Sequence, residues 1–242
     1  MAAVIIQARM GSSRLPGKTL ADLGGRPVID WTVERAAQAT TVTDVIVATS
    51  TRPEDNAIAA HVQAHGIATV VRGDPTDVLS RYITSLQQTS ADVIVRITGD
   101  CPFVQPDFVD RAIRLANSFD YVATGLDGRF PRGFDVEAVK RSALLDADRS
   151  ATDPLEREHV TLFVARHPER FASAALECPR WARRPDVRLT LDEANDLLFL
   201  RTVVSELGAS PSTPLSEDLV AFLDDRPDLR AINADVVHNN VS

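Results

Sequence analysis

The chain has 242 residues, 44% of them hydrophobic and 25% charged, with a formal net charge of −8. That length suits one large α/β domain, or one domain carrying a substantial insertion, and a compact chain of this size buries roughly 70–75% of the surface its unfolded form exposes. The acidic balance argues against generic attraction to nucleic acid or anionic membrane.

The N-terminus, MAAVIIQAR, lacks the basic region and the long apolar run of a secretory signal. No stretch reaches the ~18 apolar residues of a membrane span. A cytoplasmic protein is expected. Cys101 and Cys178 match no zinc or redox spacing and read as reduced thiols.

Short β-branched runs at Ala3–Gln7, 44–49, 68–72 and 92–98 read as buried strands. Between them, helical spacing begins at Pro27, Pro53, Pro75 and Pro106, with Gly66 as a stop for the second helix. Alternation of this kind implies a mainly parallel sheet covered on both faces, with right-handed crossovers. After residues 120–124 the rhythm breaks. GLDGRFPRGFD (125–135) reads as a loop, 154–166 as helix, 171–176 and VRLTLD (187–192) as strands. A helix over 193–207 is expected to turn Leu197, Leu198, Leu200 and Val204 inward, and a last helix covers about 215–224.

Residues 1–35 carry five basic groups (Arg9, Arg14, Lys18, Arg26, Arg35) against three acidic ones, which points to one anion site. The loop after the first strand, QARMGSSRLPGK (7–18), is its natural place, because parallel-sheet enzymes bind ligands beyond the carboxyl ends of their strands. Gly11, Ser12 and Ser13 would let backbone amides approach phosphate oxygens, and Arg14 and Lys18 supply charge. Five residues separate Gly11 from Gly17, one more than in a Walker A loop, and no GxGxxG is present.

TGDCP (98–102) follows a hydrophobic strand and delivers Asp100 to the same edge, where a carboxylate can hold Mg²⁺ or simply shape a turn. Asp192 ends LTLD and opens a helix, so an N-cap is its plain alternative role. Two bare carboxylates at one edge would repel each other unless a cation lay between them. Arg157, Glu158 and His159 in ATDPLEREHV suit a polyhydroxylated anion, a solvated helix face or a subunit contact. Asp77 and Arg81 stand at i,i+4 spacing on the third helix. His61, His65, His167 and His238 follow no metal-ligand pattern and read as surface residues.

The run IIQARMGSSRLPGKTLADLGGRPVI, followed in order by VIVATS, DVLSRY, VRITGDCP, PLEREHVT and RLTLDEANDL, resembles the cytidylyltransferases of the spore-coat polysaccharide and CMP-sugar synthetase type, relatives of the CMP-Kdo and CMP-sialic acid enzymes. The resemblance covers residues 4–200. It implies a three-layer α/β sandwich of the glycosyltransferase-A-like nucleotidyltransferase fold. It also implies transfer of CMP from CTP to an acidic or modified sugar, with Mg²⁺ and release of pyrophosphate.

By the same resemblance Arg14, Lys18 and Asp100 are catalytic, and Asp100 and Asp192 hold the metal. Ala8, Arg9, Gly11, Ser12, Ser13, Arg72, Thr98, Arg157 and His159 bind substrate. Ala8, Arg72 and Thr98 would lie at the nucleobase, although the CMP-Kdo enzymes have glutamine where this chain has Thr98. A homodimer is implied, built partly on an insertion at about 125–178 that also serves the sugar. A nucleotide-sugar-dependent glycosyltransferase of the same fold class is an alternative, although its usual Asp-x-Asp is missing. A catalytically silent nucleotide-binding partner subunit is another.

Overall fold

The computed structural model describes residues 1–236. In chain order the elements are β1 (Ala2–Gln7), a small hairpin of β2 (Asp22–Leu23) and β3 (Arg26–Pro27), α1 (Val28–Ala37), β4 (Val42–Ser50), α2 (Asn56–His65), β5 (Thr69–Gly73), α3 (Val78–Ser85), β6 (Val93–Thr98) and α4 (Pro106–Ala116). The second half adds β7 (Tyr121–Ala123), β8 (Glu137–Lys140), α5 (Arg141–Ser150), α6 (Pro154–Glu158), α7 (Leu162–Arg166), β9 (Ser173–Ala175), α8 (Ala194–Leu207), α9 (Glu217–Asp224) and α10 (Pro227–Ala231).

Seven strands form one sheet in the order β5-β4-β1-β6-β8-β7-β9. β8 runs antiparallel to both of its neighbours, and the other pairings in this sheet are parallel. β1 shows why a central strand needs apolar residues at every position. Val4 and Ile6 enter the core beneath α1, α4 and α8, while Ala3 and Ile5 enter the core beneath α3 and α5. The expected mainly parallel sheet covered on both faces is therefore present. Among the described residues no helix is long and apolar enough to cross a membrane.

Several expectations need correction. Pro75 does not open α3. The Asp74 carboxylate accepts from the Thr76 and Asp77 amides at 2.7 and 2.9 Å, which folds 74–77 into a turn, and Asp77 then caps the helix through the Ser80 amide. VRLTLD alternates but is no strand. Its Leu189 and Leu191 amides donate to the carbonyls of Arg132 (2.7 Å) and Asp100 (2.9 Å), and among the described residues its strand pairing is a single bridge between Arg132 and Arg188. The alternation reports one-sided burial, since Val187, Leu189 and Leu191 all lie in the core. Residues 154–166 are two short helices, because Val160 between them adopts φ 50°, a left-handed conformation unusual for a β-branched residue. On α8 Leu198 faces solvent and Phe199 takes its place inside. The segment 125–178 interrupts the helix–strand rhythm yet contributes β8 and β9 to the main sheet.

Candidate active site

The chain passes from β1 to β4 and β5 on one side, then returns to place β6 on the other side of β1. Ligand sites in open α/β sheets form where the strand order reverses in this way, beyond the carboxyl ends. The loops after β1 and β6 diverge at that point. Gly99 lets them pack together: its amide donates to the Gln7 carbonyl at 2.9 Å, and a Cβ there would lie 3.1 Å from that oxygen and 3.2 Å from the Ala8 methyl.

The β1 loop is closed on itself. The Ser12 and Gly17 amides both donate to the Met10 carbonyl, and Thr19 Oγ1 donates to the Arg9 carbonyl at 2.9 Å. Gly17 takes φ 76°, which glycine allows without steric cost, and turns the chain into the short helical turn that begins at Lys18. Asp55, 1% exposed, fixes the loop from the side by accepting the Met10 amide at 2.6 Å.

Lys18 is thereby aimed at two carboxylates from distant parts of the chain. Its Nζ lies 2.7 Å from Asp100 Oδ2, 2.9 Å from Asp192 Oδ1 and 2.6 Å from the Leu191 carbonyl. Arg14 reaches the outer side of the cluster, 3.2 Å from Asp192 Oδ2 and 3.1 Å from Glu193 Oε1. The expected repulsion between bare carboxylates is therefore answered within the protein. Burial alone would push the Lys18 ammonium down, but Asp100 and Asp192 together outweigh it and hold its pKa above the usual lysine value. Burial likewise acts to raise Asp192, yet Lys18, Arg188 and Arg14 reverse the sign and hold it at about 2.

Asp192 is not the helix cap. Glu193 caps α8 in a capping box with Asp196, whose fully buried carboxylate accepts the Asp192 and Glu193 amides at 2.9 and 3.0 Å. Arg188 ties the arrangement together, donating to Asp192 Oδ2 at 2.6 Å and to Asp196 Oδ1 at 2.9 Å. Sequence reasoning missed Arg188, Asp196 and Asp55. Only the Glu-x-x-Asp spacing at 193–196 carried a legible signal.

The other expected residues divide into groups. Gly11 and Ser13 are exposed at the loop, Ser12 Oγ accepts the Leu15 amide, and Ala8 is buried with its amide given to Ala48. Arg9 approaches Glu158 at 4.0 Å. Thr98 Oγ1 lies 3.2 Å from the Cys101 sulfur, and burial raises that thiol well above its usual pKa, in keeping with a packing residue. Arg72 directs its guanidinium to the Ser50 and Arg52 carbonyls and to Asn56. Arg157 binds Asp77 at 2.6 Å and Asp148 at 2.8 Å, so Asp77 pairs with Arg157 and not with Arg81. The side chain of Arg157 is engaged in joining α3 to α5. His159 is half-buried, and burial together with nearby Arg96 lowers its pKa.

The basic N-terminal segment also separates into two parts. Arg26 pairs with Glu34 and Asp30, and Arg35 is buried among backbone carbonyls such as Val104 and Thr213. Arg14 and Lys18 converge on the cluster, with Arg9 farther out. His61 is half-buried, and its Nε2 lies 2.6 Å from Asp30 Oδ1. His238 lies outside the described residues.

Asp100 and Asp192 can hold a divalent cation. The ammonium of Lys18 already stands between their oxygens as a stand-in ion. Among the described residues no cluster of three or more His, Cys, Asp or Glu side chains gathers as a metal cage. Two carboxylates, with further oxygens from substrate phosphates, make a donor set of the kind Mg²⁺ uses.

Comparison with known proteins identifies the family. A family model described as cytidylyltransferase matches residues 3–211. The chain is 34% identical to the spore coat polysaccharide biosynthesis protein SpsF of Bacillus subtilis, over 93% of this chain and 94% of that protein. It is 30% identical to a 3-deoxy-manno-octulosonate cytidylyltransferase of Anaeromyxobacter sp., over 81% of this chain and 82% of that protein. A cytidylyltransferase structure from Leptospira borgpetersenii superposes with a TM-score of 0.87 at 28% identity, covering 98% of this chain and 99% of that one. The fold is that of the α/β nucleotidyltransferases, and the chain belongs to the cytidylyltransferase family.

Proposed function

We propose that this enzyme transfers CMP from CTP to an acidic or modified sugar and releases pyrophosphate, in the assembly of a surface polysaccharide or glycoconjugate. The observation that carries the reading is the convergence of Asp100, Asp192 and Lys18 at the foot of the β1 loop. That geometry suits a triphosphate held between a cationic loop and a pair of carboxylates.

In the reaction the oxygen of the acceptor hydroxyl forms a bond to the α-phosphorus and gives up its proton to solvent, while the bond from that phosphorus to the oxygen bridging the β-phosphate breaks. The electron pair leaves with pyrophosphate. Arg14 and Lys18 bind the negative charge that collects on the departing group, and a preorganised site strengthens such contacts. Asp100 and Asp192 would hold Mg²⁺, which supplies charge neutralisation to the transferring phosphoryl group when bound. Arg188 and Asp196 hold Asp192 in place before substrate enters.

SpsF and the 3-deoxy-manno-octulosonate enzyme support a sugar acceptor by family likeness. Segment 125–178 also exposes two large apolar side chains, Leu126 and Leu155, which supports a homodimer formed partly through it.

The test is pyrophosphate release from each of four nucleoside triphosphates with a panel of acidic and neutral sugars. CTP is expected to be preferred, with an acidic sugar as acceptor. Faster turnover with UTP, GTP or ATP and none with CTP would overturn the cytidylyl reading. Sugar transfer from a nucleotide sugar with no pyrophosphate formed would favour a glycosyltransferase.

A further inference from the structure

The attacking hydroxyl has to lose its proton, and both carboxylates of the cluster are engaged with cations. Asp100 is held by Lys18, and Asp192 by Lys18, Arg14 and Arg188. A third carboxylate stands beside them. Asp135 ends the loop PRGFD (131–135), which leads into β8. This loop is laid against the segment that ends in Asp192. The Arg132 amide donates to the Val187 carbonyl at 3.0 Å, and the Leu189 amide to the Arg132 carbonyl at 2.7 Å. Gly133, at φ 99°, makes the contact tight, because a Cβ there would lie 2.8 Å from the Thr190 nitrogen. Thr190 in turn donates through Oγ1 to the Asp100 carbonyl at 3.3 Å.

Strand register leads to the same place. β6 and β8 run antiparallel with Arg96 opposite Glu137. Continued by two residues, that register sets Asp135 opposite Thr98, just before Asp100. Asp135 and Glu137 share a face by the two-residue alternation of extended chain, but their engagements differ. Glu137 accepts from Arg96 at 2.7 Å and from Thr161. Asp135 is half-buried, and among the described residues its hydrogen-bond partner is the Gly133 amide, 2.8 Å from Oδ2. Its Oδ1 is thus uncommitted at the edge of the sheet where the Asp100 loop begins. Burial raises the pKa of Asp135 above the usual aspartate value and Glu137 and Asp100 add to the rise, while the Gly133 amide and Arg132 act against it. A carboxylate with an uncommitted oxygen and a readier hold on a proton suits proton transfer.

We infer that Asp135 is the general base of the transfer, accepting the hydrogen of the acceptor's attacking hydroxyl on Oδ1. The inference rests on the sugar-acceptor reading above. As the hydroxyl oxygen bonds to the α-phosphorus, its proton passes to Asp135. The bond from phosphorus to the bridging oxygen breaks, pyrophosphate leaves with the electron pair, and Asp135 then gives the proton to solvent. Half-buried His159 is the rival base. The charges that act most on it are those of Arg96 and Glu158, whereas Asp100 acts on Asp135.

The experiment compares wild type with Asp135→Asn, which keeps the shape and an acceptor for the Gly133 amide but cannot take a proton. Pyrophosphate release is followed with CTP and, as acceptor probes, 3-deoxy-manno-octulosonate, N-acetylneuraminate and mannose. CTP binding is measured by calorimetry without acceptor. Asp135→Asn is expected to lower kcat about 100-fold or more, with CTP affinity and melting temperature little changed. Retained kcat, a loss accompanied by weaker CTP binding or a lower melting temperature, or a larger loss in His159→Asn overturns the inference and leaves the proposed function standing. A wild type that releases no pyrophosphate with any probe overturns both. Should the Asn variant fail to fold, Asp135→Ser keeps a short polar side chain, and the same loss is required of it.

Discussion

Asp100 and Asp192 share one ammonium, that of Lys18, which lies 2.7 Å from the first and 2.9 Å from the second. Neither carboxylate touches the other's segment by sequence proximity; the loop after β6 and the turn before α8 are joined by a backbone bond from the Leu191 amide to the Asp100 carbonyl. The pair is therefore held in register by the main chain before any ligand arrives. Asp100→Asn and Asp192→Asn should each slow pyrophosphate release at least ~100-fold, the scale of one electrostatic contact at a reacting centre. Their double variant should be scarcely slower than either single, since groups acting as a unit are not additive. Full activity in Asp192→Asn would remove it from the site.

Stability at low pH should depend on Asp192. Its folded pKa of about 2 lies below the ordinary value of 3.8. A depressed carboxylate stabilises the fold above its unfolded pKa, and the contribution disappears as pH falls through the folded value. The window is thus between about pH 4 and pH 2, and the contribution at neutral pH is about 2 kcal/mol. Thermal melts of wild type and Asp192→Asn across this range should converge at its acid end. A constant gap between the two curves would show that the charge of Asp192 contributes nothing.

Replacing Lys18 should separate its two roles. Lys18→Ala is expected to slow turnover about 10- to 150-fold through the loss of a charge-assisted contact to the triphosphate. Without its ammonium the two carboxylates lose their internal counter-ion, so added Mg²⁺ should raise the melting temperature of Lys18→Ala more than that of wild type. Equal Mg²⁺ responses would mean that Lys18 and a divalent ion do not address the same carboxylates.

Arg188 should act through Asp192. It donates to Asp192 and to the fully buried Asp196. Arg188→Met should lower kcat roughly tenfold or more and shift the Mg²⁺ dependence to higher concentration, as loss of a supporting partner does at metal sites. A change in thermal stability with an unaltered Mg²⁺ curve would assign Arg188 to the fold alone.

Assembly is tested most directly at the exposed leucines. Light scattering at micromolar protein should report a dimer, and Leu126→Glu or Leu155→Glu should shift it towards monomer by placing charge in an apolar contact. A monomeric wild type would count against the expected homodimer.

Local sequence signals determined much of this protein. Short runs rich in β-branched apolar residues marked β1, β4 and β6, because a strand buried on both faces needs apolar residues on both of them. Gly17, Gly66 and Pro106 marked turns, a stop and a start through backbone preferences that need no tertiary partner. Lys18 was legible as a cation of the loop after β1, and Asp100 and Asp192 as carboxylates following apolar segments. What lay beyond reach was decided by contacts between distant segments. Alternation in 187–192 could not distinguish a strand from an extended segment laid on a core, since both bury every second residue. Arg188 and Arg157 look alike in sequence, yet one orients a site carboxylate and the other joins two helices. Hydrogen-bond partners of long, flexible cations are chosen by the tertiary structure, because a guanidinium reaches several ångströms from its own backbone.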